Sequence, residues 1–149
     1  MEQRGLMEDA LRESDRALSW QPANPGLWQL RANAYGSVGR PGAMRHDLQK
    51  AISLHPDSAA LRAGLADLEW RQGNRARALE LLREALALYP LKSGLREQHA
   101  RFLAESGKRP EALEAARKAD EVAFTPLEKE SARKTLREIE NAEKEKTTP

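Results

Sequence analysis

The sequence predicts an all-α solenoid, a row of stacked antiparallel helix pairs, and three series of residues predict it. Gly5, Gly39, Gly73 and Gly107 stand 34 residues apart. Pro22, Pro56 and Pro90 keep the same step. Alanine keeps it twice, as Ala17, Ala51, Ala85 and Ala119 and again as Ala32, Ala66 and Ala100. A fixed period of this length marks a supersecondary unit that cannot bury its apolar face alone and so stacks on copies of itself.

Each period is expected to fold as two helices, divided by the glycine and ended by the proline, because these residues punctuate helices. The chain opens inside a period. Within residues 1–24, Gly5 holds the turn register, Leu6 to Trp20 read as a second helix without its first, and Pro22 stops it. This half unit suggests either a piece cut from a longer array or a natural start with one unpaired helix. In residues 25–58, Gly26 to Val38 form the first helix, Gly39-Arg40-Pro41-Gly42 break it, Ala43 to Leu54 form the second, and Pro56 ends it. Residues 59–92 repeat this with a turn at Gly73-Asn74 and a stop at Pro90. Residues 93–126 turn at Gly107-Lys108, and Phe124 stands where a proline is due.

The tail, residues 127–146, reads as a capping helix. Thr125 is the N-cap, Pro126 takes the first helical position and Glu128 completes a capping box. Leu127, Ala132, Leu136, Ile139 and Ala142 form a narrow apolar stripe, as expected of a helix that closes the end of a stack. Thr147, Thr148 and Pro149 are expected to fray. In the core, Ala32, Ala66 and Ala100 let paired helices approach closely, and Leu27, Leu61 and Leu95 anchor the first helices. Leu18, Trp20, Ile52, Leu54, Leu86 and Leu88 on the second helices are expected to pack on the helix that follows. One buried leucine of this kind contributes roughly 1.5–3 kcal/mol.

Composition narrows the function. The chain is 40% hydrophobic and 32% charged, which suits narrow apolar seams between solvated faces. Its 25 basic residues are interleaved with 23 acidic ones, so the net charge of +2 carries no basic stripe of the kind nucleic acid requires. The absence of cysteine excludes disulfides, thiolate metal sites and a cysteine nucleophile. No apolar run approaches the ~20 residues that span a bilayer, so no membrane insertion is expected. Met1 to Ala10 lack the apolar core of a signal peptide, so a cytoplasmic protein is expected, or a periplasmic one if the chain is a fragment. His46, His55 and His99 share no spacing, and no metal-binding histidine motif, phosphate loop or nucleophile elbow occurs. No catalytic residue, metal or cofactor is expected.

Trp28, Ala32 and Tyr35, followed by Met44, Leu48 and Pro56, resemble the tetratricopeptide repeat family, whose signature is Trp-x2-Leu-Gly-x2-Tyr, Ala-x3-Phe and Pro. Leu65, Ala66, Ala78, Leu82 and Pro90 match in the second period, with Arg62 and Glu69 in place of the aromatics. Ala100 and Ala112 match in the third, where Arg96, His99 and Ala116 depart, and Ala10 and Pro22 match in the half unit. The resemblance implies a right-handed solenoid of about three and a half repeats with a C-terminal capping helix.

In this family the first helices line a concave groove that holds a peptide or partner surface without catalysis. The positions so implied are Gln29 and Asn33, then Ala63, Asp67 and Trp70, then Glu97 and Arg101. Asn33 would hold a peptide backbone. Arg101 would meet a carboxylate or pair with Asp67 or Glu97. Trp70 would anchor a partner or tuck between helices. Only Asn33 fits the carboxylate clamp of one subgroup; Gln29, Gly64, Gly94 and Gln98 hold its other places, so that clamp is not expected. The alternative role is a spacer or docking segment of a larger secretion, envelope-assembly or polysaccharide-export protein. The unpaired Leu6–Trp20 helix, with Leu11 and Leu18, also offers an apolar face for self-association.

Overall fold

The computed structural model describes residues 2–142, and their regular structure is eight α-helices. The expected fraying of Thr147 to Pro149 and the last residues of the 127–146 helix lie outside the described residues. Backbone contacts divide the chain into two compact units, residues 1–68 and 69–149.

The first unit holds α1 (Glu2–Trp20), α2 (Pro25–Ser37), α3 (Pro41–Leu54) and most of α4 (Ala59–Arg71). Here α1 packs on α2, and α2 on α3. The second unit holds α5 (Arg75–Leu88), α6 (Ser93–Glu105), α7 (Arg109–Val122) and α8 (Pro126–Asn141). Here α5 packs on α6, α6 on α7, and α8 on both α6 and α7.

The glycine turns share one geometry. Gly39, Gly73 and Gly107 have φ of 73°, 83° and 77°, a region that costs other residues steric strain. After each, the next N–H reaches back into the preceding helix, from Arg40 to the Tyr35 carbonyl at 2.9 Å, Asn74 to Glu69 at 2.8 Å and Lys108 to Leu103 at 2.9 Å. These are the long bonds of a Schellman motif. Gly5 departs from the expectation: it lies inside α1, which starts at Glu2, and it is not among the positive-φ glycines. With helical residues on both sides, Gly5 has no turn to make.

The proline junctions are latched from the next helix. Trp28 Nε1 donates to the Pro22 carbonyl at 2.8 Å, Arg62 Nη1 to the Pro56 carbonyl, and Arg96 Nε to the Pro90 carbonyl at 2.9 Å. Arg62 and Arg96, which depart from the family's tryptophan, thus make the same hydrogen bond that Trp28 makes. The starts of α2, α4 and α8 are capped by side chains as well. Asn24 accepts from Gly26 N–H at 3.0 Å, Ser58 from Leu61 N–H at 3.3 Å, and Thr125 and Glu128 form the expected capping box.

Ala32, Ala66 and Ala100 are fully buried, as are Ala51, Ala85 and Ala119. Leu18, Leu61 and Leu95 are buried, while Leu27, Ile52 and Leu86 are half-buried. Three expected packing residues are exposed instead: Trp20 at 86%, and Leu54 and Leu88 at about half that. They end the last turns of α1, α3 and α5, where the chain leaves for the proline junction. On α8 the buried stripe is Ala132, Thr135 and Ile139, with Leu136 half-buried. Leu127 is 77% exposed because it sits five residues before Ala132, off that face, and Ala142 is exposed at the helix end.

Candidate interaction site

In the first unit the exposed face of α2 carries Gly26, Gln29, Leu30, Asn33 and Gly36. Gln29 and Asn33 sit one helical turn apart and so point the same way. Both are exposed, and neither side-chain amide takes a hydrogen-bond partner among the described residues. Each amide offers donors and acceptors in the plane a peptide group presents. Leu30, 55% exposed, adds an apolar contact beside them. Of the α4 positions, Ala63 and Asp67 are half-buried, and both already have interactions of their own.

The other face of α2 carries a charge network that the periodicity did not announce. Asp47 on α3 is 1% exposed and accepts from Arg31 Nε at 2.6 Å and from Arg31 Nη2 at 2.9 Å. Arg31 Nη1 donates to Asp15 of α1 at 2.6 Å, and the guanidinium lies over the rings of Trp28 and Tyr35. The Arg31 pKa is raised, chiefly by its hydrogen bond to Asp47, against the opposing effect of burial. His46 Nδ1 stands 3.0 Å from the same carboxylate. One period later the positions of Arg31 and Asp47 hold Leu65 and Leu81. Two leucines replaced together by opposite charges was the legible signal for this pair.

In the second unit Trp70 and Glu97, two of the three expected groove residues, turn inward, while Arg101 stays exposed. Trp70 stacks on Phe102, with ring centroids 4.0 Å apart and an interplanar angle of 8°. Its Nε1 donates to Glu105 at 2.9 Å, and Arg75 sits 5.2 Å from its ring centroid. Phe102 was missed because it lies in the period after Trp70, with no counterpart in the signature. Glu97, expected on the groove, is 3% exposed. It accepts from Ser131 Oγ at 2.7 Å and Thr135 Oγ1 at 3.2 Å, so the face it occupies is the one α8 covers. Arg101 lies 3.6 Å from Glu97, the pairing foreseen as its alternative to meeting a ligand carboxylate. The structure therefore leaves Gln29 and Asn33 as a presented pair without partners, commits Trp70 and Glu97 to contacts within the chain, and keeps Arg101 exposed beside Glu97. Among the described residues no cluster of three histidines or carboxylates suits a metal ion, and no helix is long and apolar enough to cross a membrane.

Residues 37–90 match the family model described as tetratricopeptide repeat. No curated protein has a detectably similar sequence. Among solved structures, MamA is 19% identical with a TM-score of 0.72, over 97% of this chain and 93% of its own. TTC0263, a thermophilic tetratricopeptide protein of Thermus thermophilus, is 23% identical with a TM-score of 0.76, over 91% of this chain and 73% of its own. YrrB, described as a tetratricopeptide protein with an unusual peptide-binding site, is 21% identical with a TM-score of 0.70, over 96% of this chain and 72% of its own. At such identities the likeness shows the fold. With the 34-residue period, the Schellman glycines and the latched prolines, it gives the chain an all-helical fold of the tetratricopeptide repeat type, with residues 37–90 similar to that family.

Proposed function

We propose that the protein is a non-catalytic interaction module that binds an extended segment of a partner along α2. The carrying observation is the pair Gln29 and Asn33, exposed on one face and without partners of their own. Two amides one turn apart, about 6 Å along a helix, match the spacing of every second residue in an extended strand. Leu30 supplies the apolar contact that polar recognition of a backbone lacks. The peptide-binding site for which YrrB is described lends support, since that protein shares the fold.

The test is selection from a random-peptide display library on the wild-type protein, followed by titration of the enriched peptides on a Gln29→Ala/Asn33→Ala variant. Binding in the micromolar range that weakens at least about tenfold, corresponding to ~1.4 kcal/mol, with the helical circular dichroism unchanged, is the expected result. Enriched peptides that bind both proteins equally would remove α2 from the site.

A further inference from the structure

α1 and α8 are the first and last described helices, and neither has its own pair mate among the described residues. By period α1 stands in the register of α3, α5 and α7, the second helices, and α8 in that of α2, α4 and α6, the first ones. The α2–α3 pair is joined by charge, Arg31 to Asp47. Arg133 on α8 lies three periods after Arg31, and Glu13 on α1 lies one period before Asp47. The two end helices thus carry the two halves of the same ion pair. One turn along an antiparallel seam the pattern continues, with Arg137 four residues after Arg133 and Asp9 four before Glu13.

These groups are available. The side chains of Asp9, Glu13 and Arg133 are each more than half exposed, and their present partners, Arg12, Arg16 and Asp120, hold them in surface pairs of little strength. Arg137 is exposed and has no ion-pair partner among the described residues. The apolar groups follow the same seam. Phe124, Trp20 and Leu127 are the most exposed large apolar side chains described, at 92%, 86% and 77%. Trp20 ends α1, and Phe124 and Leu127 flank the start of α8, so antiparallel docking of the two helices brings them to one end of the contact. Lys134 takes the place of Ala32, Ala66 and Ala100, and its side chain is 72% exposed, so its stem can lie along the contact with the ammonium left in water.

We propose that a second copy of this chain docks here: α1 of one copy packs as a second helix on α8 of the next, with Glu13 on Arg133, Asp9 on Arg137 and Trp20 against Phe124 and Leu127. Donor and acceptor faces differ, so the contact is heterologous and passes from copy to copy. It uses neither Gln29 nor Asn33, and stands apart from peptide binding on α2.

Sedimentation velocity from micromolar to millimolar protein tests it, with circular dichroism as the control for folding. Wild type is expected to gain mass with concentration and to lose that gain in high salt. Arg133→Glu and Glu13→Arg are each expected to stay monomeric, because each sets like charges against each other. An equimolar mixture of the two variants restores opposite charges at every contact and is expected to assemble again. A wild type that remains monomeric throughout, a single variant that assembles as wild type does, or a mixture that stays monomeric would each overturn the proposal.

Discussion

Arg31 and Asp47 show what one pair of residues can decide. A buried ion pair balances desolvation against attraction, and removing one partner leaves the other uncompensated. Asp47 is almost fully buried, whereas Arg31 also reaches the exposed Asp15. Arg31→Leu, which strands the carboxylate, should therefore cost about 3–5 kcal/mol, and Asp47→Leu less. The double change to leucine reproduces what Leu65 and Leu81 do one period later, and should restore wild-type stability or exceed it. Urea denaturation of the four proteins gives the order directly.

His99 occupies the register of Arg31 and Leu65 with a different outcome. Its pKa is lowered by burial first, then by Arg83 and Arg96, and its Nε2 is buried without a hydrogen-bond partner among the described residues. A histidine whose folded pKa lies below its unfolded value binds fewer protons in the native state. Stability is then intact above the unfolded pKa, about 6.5, and declines as the pH falls from there toward the folded value. The urea midpoint should drop between pH 7.5 and 5, and His99→Leu should flatten that slope. An unchanged slope would place the titrating group elsewhere.

At the scale of the helix, α8 depends on Glu97. Its own buried apolar side chains are few, Ala132 and Ile139 with half of Leu136, while Ser131 and Thr135 both donate to that one carboxylate. Glu97→Ala should cost about 1–3 kcal/mol by leaving the Thr135 hydroxyl buried and unpaired. The loss should be local, so native-state hydrogen exchange is expected to quicken in α8 before it does in α6 or α7. Equal quickening in all three helices would show that α8 opens only with the whole unit.

The elements themselves were readable. Periodic glycine and proline placed α2 and α3 within a residue or two and the later turns at Gly73 and Gly107, because those residues act locally through φ and a missing N–H. Gly5 misled because a register says where a turn would be and not whether a helix precedes it. The tertiary reach of Trp70 to Phe102 and of Glu97 to α8 was not legible, since both join different periods and leave no mark in a single one.

For the molecule as a whole, the period was sufficient to give the fold class, and it explains why the site was harder. Repetition reports what every unit shares, which is packing. The features proposed for recognition lie in what the units do not share: the amides of α2 and the cations of α8. Of the seven positions implied by the family, Gln29 and Asn33 remain presented without partners of their own, while the exposed Arg101 pairs with Glu97 on its own helix.

The charge pair between α2 and α3 has a further consequence for assembly of the native state from the unfolded chain. Helices built to one template are interchangeable in principle, and a repeat protein risks joining the wrong ones while it folds. If α2 took α5 as its partner, the Arg31 guanidinium would face Leu81 and Asp47 would be left without its base. An unpaired buried charge costs several kcal/mol, enough to make the mismatch short-lived. A single polar contact thus gives one helix pair an address that its otherwise similar neighbours lack.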